Sequence, residues 1–146
     1  VVNRPGAEDF RVAAPIAVRF RDLDGMGHVN NAVFLTYFEV ARAFYWRAAL
    51  GEEEMARLRT YVVARAEVDY RSPVTLSDEL VCHVRVASFG RSSFAMEYLM
   101  LDRQSGRVVA EGKTVQATYD YGAGRSRPLD ETLKEAVRRF EARPGL

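Results

Sequence analysis

Sulfur and imidazole are scarce in this chain: its 146 residues include one cysteine, Cys82, and two histidines, His28 and His83. A lone cysteine closes no internal disulfide, and the expected compartment is the reducing cytoplasm. Lysine is nearly missing too, with Lys113 and Lys134 the only two, so arginine carries the basic charge. A formal net charge of +1 gives no electrostatic case for nucleic acid or an anionic membrane as partner. No apolar run reaches the roughly 18 residues of a membrane span, and the first ten, VVNRPGAEDF, hold no apolar signal core. Neither a G-x-S-x-G elbow nor a P-loop occurs, nor any internal repeat, low-complexity tract or linker. What remains is 48% hydrophobic and 28% charged, the balance of an ordinary globular chain, and its length predicts a single domain over residues 1–146.

Residues 1–11 read as a polar lead-in. Ala13 to Phe20 predicts a first strand. From Asn31 to Leu50 the pattern turns helical and is apolar on most sides, with Gly51 as the stop. A helix of that kind is expected to be wrapped by other structure. Strand-like alternation then runs from Thr60 to Tyr70, Leu80 to Phe89, Ser93 to Leu101 and Arg107 to Tyr119. Breakers at 71–79, Gly90-Arg91 and DRQSG separate these strands. Residues 129–142, with Leu129, Leu133, Val137 and Phe140 on one stripe, close the chain as an amphipathic helix. The order predicts an α+β fold, a curved antiparallel sheet wrapped round one long buried helix. Sheet edges left open by such a wrap call for a second copy.

Between the first strand and the helix lies RDLDGMGHVNN, residues 21–31, with more polar and turn-forming groups than a connection needs. Asp22 and Asp24 can each close an Asx-turn. Gly25 and Gly27 allow positive φ or close approach of a ligand. Asn30 and Asn31 are natural helix N-caps. An EF-hand is excluded, because counting from Asp22 puts Met26 at the fifth position and Val33 at the twelfth. Cys82 and His83, adjacent on a strand, face opposite ways and form no dyad or metal pair.

In its longer form, RFRDLDGMGHVNNAVFLTYFEVAR, this segment resembles the signature of the hotdog-fold acyl-CoA thioesterases, the 4-hydroxybenzoyl-CoA thioesterase-like family. The signature is an acid pair D-x-D, a G-H-V-N-N turn, and a helix closing on E-x-A-R. DYRSPVTLSDEL, FGRSSFAMEY and VVAEGKTVQATYD fit the family's later strands, so the resemblance covers roughly residues 13–142. It implies a hotdog fold and hydrolysis of acyl- or aroyl-CoA thioesters without metal or organic cofactor. It also implies a homodimer or homotetramer with active sites at the subunit interface. Carried over by position, the catalytic carboxylate is Asp24, and the backbone N–H that polarises the thioester carbonyl is that of Asn31.

The chemistry is consistent with those residue types. A carboxylate can activate water or attack the carbonyl directly, and a helix N-terminus offers unpaired N–H groups to an oxyanion. His28 is expected to orient the loop, with a second acid/base role as the other option. Gly27 would let substrate approach, and Phe34 and Tyr37 would line the acyl pocket or equally well the core. Arg65, Arg91, Arg125 and Arg127 are candidates for coenzyme A phosphates, with Ser92 and Ser93 beside the pantetheine arm. Glu39 is expected to pair with Arg42, three residues on. Two other readings stand beside the thioesterase: a hotdog 3-hydroxyacyl-thioester hydratase using His28 and Glu39, and a non-catalytic acyl-CoA-binding protein. The hydratase branch has G-H-F-P where this chain has GHVNN, and a binding protein would lack the acid at 24.

Overall fold

The computed structural model describes residues 4–57 and 60–146, so residues 1–3 of the polar lead-in lie outside it. The elements run β1 (Val12–Ile16), α1 (Val33–Arg57), β2 (Tyr61–Tyr70), β3 (Leu80–Phe89), β4 (Ser93–Asp102), β5 (Val108–Asp120), β6 (Arg125–Ser126) and α2 (Glu131–Glu141). All strand pairs are antiparallel, in the order β1-β3-β4-β5-β2, with β6 a short addition to β5. That last hairpin falls in what reads from sequence as loop.

Helix α1 lies on the concave face. Phe34, Tyr37, Phe38, Ala41, Tyr45 and Trp46 are buried, at the three-and-four spacing of a single helical stripe. They meet the alternate residues Cys82, Val84 and Val86 of β3 and Met96, Tyr98 and Met100 of β4. Phe38 stacks on Tyr98 with ring centroids 4.3 Å apart. Cys82 is completely buried, and burial pushes its thiol far above the usual range. His83 faces the other way, beside Phe10, as the alternation requires. At the far end α2 is capped by Asp130, which accepts from the Thr132 N–H at 2.9 Å. The buried Glu141 latches α2 down, accepting from the Tyr45 hydroxyl at 2.8 Å and the Val86 N–H at 3.2 Å.

Four expectations need correction. The first strand ends at Ile16 rather than Phe20, because Asp22 folds back onto the Arg19 N–H at 2.9 Å and sets a 3-10 turn over Phe20–Asp22. Helix α1 begins at Val33, not Asn31. Gly51 breaks α1 with φ 78 but does not end it, and the helix resumes to Arg57. Most important, the chain does not wrap α1 on all sides: Leu35, Val40 and Phe44 on its outer face are 43%, 39% and 38% exposed. The edge strand β2 is likewise open, with Val63 at 50% and Tyr70 at 49%. No helix among the described residues is long and apolar enough to cross a membrane.

Candidate active site

The 21–31 loop is a small closed ladder. Asp22 O accepts from Asn30 N–H at 2.8 Å, Leu23 bridges Val29, and Asp24 N–H donates to His28 O at 2.7 Å. Gly27 turns the tip with φ 76, a conformation that favours glycine, and an added Cβ there would meet nothing within 4 Å. Two neighbouring elements fix the base of this ladder. Val29 N–H donates to Val74 O at 2.8 Å, and the Tyr70 hydroxyl donates to Asn31 O at 2.9 Å.

Asp22 is the anchor. Its carboxylate is 2% exposed and receives Arg19 through Nη2 at 2.9 Å and Nε at 3.1 Å, and the Tyr37 hydroxyl at 2.8 Å. Burial opposes the charged form, but the Arg19 and Tyr37 hydrogen bonds outweigh it and hold the Asp22 carboxyl below the ordinary range. Burial, followed by Asp22, pushes the Tyr37 phenol far up. Tyr37 and Phe34 are thus both buried, and the Tyr37 hydroxyl is committed to the loop. The R-x-x-D spacing of Arg19 and Asp22 was the available signal for this clamp, but nothing in the sequence singled out Tyr37 as its third member.

Asp24 is half-buried. Its Oδ1 accepts from Met26 N–H at 2.8 Å and His28 N–H at 3.2 Å, so the Asx-turn is real. Its Oδ2 has no hydrogen-bond partner among the described residues. Asn30 caps α1, its Oδ1 accepting from Ala32 N–H at 2.9 Å, while the Asn31 N–H donates to nothing among the described residues. Capping and the free donor therefore fall to two neighbours rather than to Asn31 alone. Asp24 stands opposite His28 in the ladder, three residues short of Asn31. The two backbones are thus no more than roughly 15 Å apart, three residues at about 3.3 Å plus about 5 Å across the ladder. The loop thus carries one uncommitted carboxylate oxygen and one uncommitted backbone N–H among the described residues. His28 serves the loop through its backbone, and its imidazole makes no hydrogen bond or ion pair among the described residues.

The remaining candidates lie elsewhere. Arg65 is exposed on β2 and pairs with Glu67 at 2.9 Å. Glu39 makes no ion pair with Arg42, which instead donates to the Tyr98 hydroxyl at 3.3 Å, leaving Glu39 exposed on the open face of α1. Arg91 and Ser92 form the β3–β4 turn, at the end of the sheet opposite the 21–31 loop. The β1–β3 register puts Ile16 beside Leu80, a full ten-residue strand from that turn. Arg125 and Arg127 share that far end, where a cleft of about 660 Å³ lies between α1, β2 and α2. Neither it nor the three smaller clefts is lined by Asp24, His28 or Asn31. Among the described residues no three His, Cys, Asp or Glu side chains gather to hold a metal ion.

Comparison with known proteins agrees with this architecture. A thioesterase from Thermus thermophilus, solved in complex with coenzyme A and zinc, superposes with a TM-score of 0.83 at 43% identity, over 94% of this chain and 99% of that one. The long-chain acyl-CoA thioesterase FadM of Escherichia coli is 28% identical over 84% of this chain and 93% of its own length. YsmA of Bacillus subtilis, an uncharacterized protein, is 34% identical over 84% of this chain and 82% of its own. The model of the thioesterase-like superfamily matches residues 18–137. With its curled antiparallel sheet, its long packed helix and that match over most of its length, the chain is a hotdog-fold member of the thioesterase-like superfamily.

Proposed function

We propose that the chain hydrolyses acyl-CoA thioesters, with Asp24 and the Asn31 N–H as its reacting groups. The observation that carries this reading is the pairing, on one closed loop, of a carboxylate oxygen and a backbone N–H that the protein itself leaves unused. Asp24 Oδ2 takes a proton from water as the water oxygen attacks the thioester carbonyl carbon. The oxygen turning anionic is met by the Asn31 N–H at the head of α1. Collapse expels coenzyme A as thiolate, which takes up the proton, leaving the free acid. Direct attack by Asp24 through a mixed anhydride uses the same groups and gives the same products. The FadM and coenzyme A-bound relatives support acyl-CoA as the substrate class.

A second copy completes the site in this reading. The open α1 face and the unpaired edge of β2 are what an isologous contact would bury. Antiparallel pairing of β2 with β2 about a two-fold axis sets the Tyr61 end of one strand beside the Tyr70 end of the other. The end carrying Arg91 and Ser92 in one copy then approaches the end carrying Asp24 in the other.

Thiol release measured with a colorimetric reagent across short, medium, long and aromatic acyl-CoAs tests the activity. Turnover of at least one class is expected, and none on any would end the proposal. Light scattering after size-exclusion chromatography is expected to give at least twice the mass of one chain. Val63→Lys, on the open β2 edge, is expected to reduce it to a single chain.

A further inference from the structure

Residues 4–11 form a strap across the face of the sheet turned away from α1, and side chains alone hold it there. Residues 4–10 make no backbone hydrogen bond to a strand among the described residues; the Asp9 and Phe10 N–H groups turn back to Gly6 and Ala7. Phe10 is the anchor, buried with its ring centroid 6.0 Å from that of His83 and 5.0 Å from the Arg85 guanidinium. Arg4 reaches Glu111 at 3.4 Å, and Arg85 donates to the Asp9 carbonyl at 3.3 Å. Two clefts, of about 460 and 180 Å³, open beside the strap, the larger over Leu99, Leu101 and Val108. The imidazole against Phe10 is the odd group. His83 Nδ1 is buried and has no hydrogen-bond partner among the described residues. A neutral ring with its proton on Nε2 leaves one acceptor idle there, whereas an imidazolium has a buried cationic N–H with nothing to receive it.

We propose that His83 is a proton-operated latch: charging its imidazole lifts Phe10 and the 4–11 strap off the sheet and bares Leu99 and Leu101. No acid around the ring is free to hold the charge in place. Ala13 of β1 and Leu99 of β4 stand directly opposite His83, and neither is charged. Arg85, next on the same face of β3, is itself a cation and already occupies Glu97 at 2.9 Å. Arg11 is turned to the Phe140 carbonyl, and Glu111 of β5, beyond Leu99, is held by Arg71 at 2.7 Å. In the strap, the Asp9 carboxylate accepts from the Gly6 N–H at 2.9 Å, and Glu8 folds back against Gly6. Burial accordingly holds the His83 pKa below the ordinary imidazole value. The closed strap is the neutral form, so it is fully held above about pH 6.5, the ordinary value, and loosens as pH falls below it. One proton raises the open fraction by at most about tenfold per pH unit, until the lower closed-state value is passed. The latch lies on the face away from α1 and does not depend on the hydrolysis proposed above.

The whole protein with 4-fluorophenylalanine at position 10 alone tests this by NMR, the fluorine reporting the strap and the imidazole ring protons reporting His83. From about pH 7.5 to about pH 5, the fluorine resonance is expected to move towards that of the free amino acid, with the same midpoint as His83. His83→Gln carries no charge over this range and is expected to abolish the movement. His83→Leu serves the same end should glutamine loosen the strap by itself. Phe10→Ala is expected to raise the His83 midpoint to the ordinary value, because the ring then meets water. Three results would overturn the proposal: a fluorine movement that survives in both histidine variants, a fluorine unmoved while His83 titrates, or a His83 midpoint indifferent to Phe10→Ala.

Discussion

Asp24→Asn is expected to lower thioester turnover by roughly 10²–10⁴-fold with the melting temperature unchanged, the range a positioned general base supplies. The substitution separates the two roles of this side chain. An asparagine keeps an oxygen that can accept from the Met26 and His28 N–H groups, so the Asx-turn at the loop tip survives. What disappears is the charge and the unpartnered second oxygen. A loop-closing Asp24 would therefore tolerate the change, whereas a base or nucleophile would not. Kinetics at saturating acyl-CoA are the measurement, because a rise in KM with kcat intact would make Asp24 a binding residue only. Asp24→Ala is the poorer variant, since it removes the turn and the chemistry together.

Gly112→Ala is expected to destabilise the fold by about 1–3 kcal/mol, the usual cost of overpacking a filled core. Gly112 lies in β5 between Val68 of β2 and Tyr98 of β4. A methyl group there would overlap Cε2 of the Phe38 ring and stand 2.9 Å from the carbonyl oxygen of Glu67. Phe38 cannot swing aside freely, because it is fully buried and stacked on Tyr98. The missing side chain is what lets α1 lie this close to the sheet. Urea unfolding followed by circular dichroism would measure the loss. Adding Phe38→Leu should restore part of it, a coupling of about 0.5–3 kcal/mol between residues in contact. An unchanged urea midpoint in Gly112→Ala would show that the helix has room to rise.

Much of this architecture is written in local pattern. Leu80, Cys82, Val84 and Val86 alternate in sequence and are buried in alternation, and Gly90-Arg91 and DRQSG mark the hairpins that form. The D-x-D and GHVNN residues do share one loop, as their crowding predicts. Patterns failed where exposure depends on distant contacts. Leu35, Val40 and Phe44 look like core, yet the chain leaves them open, and local pattern does not say which apolar helix positions the sheet will cover. The Tyr37–Asp22 contact joins residues 15 apart through tertiary folding, so Tyr37 read only as a core or pocket aromatic. Arg91 and Ser92 lie at the end of the sheet opposite Asp24 within one chain, a placement that residue type alone does not encode.

The seclusion of Cys82 has a bearing on life among thioesters. Transthioesterification and mixed-disulfide formation both need a reachable thiolate. The chain's only sulfhydryl has no exposed surface, and its deprotonation is suppressed by the core around it. Under the acyl-CoA hydrolysis proposed above, acyl groups would find no sulfur on the native chain to migrate onto, and released coenzyme A none to cap. The folded protein should stay colourless with a thiol-specific dye until it is denatured, so any colour that develops in the proposed thiol-release assay would belong to the product.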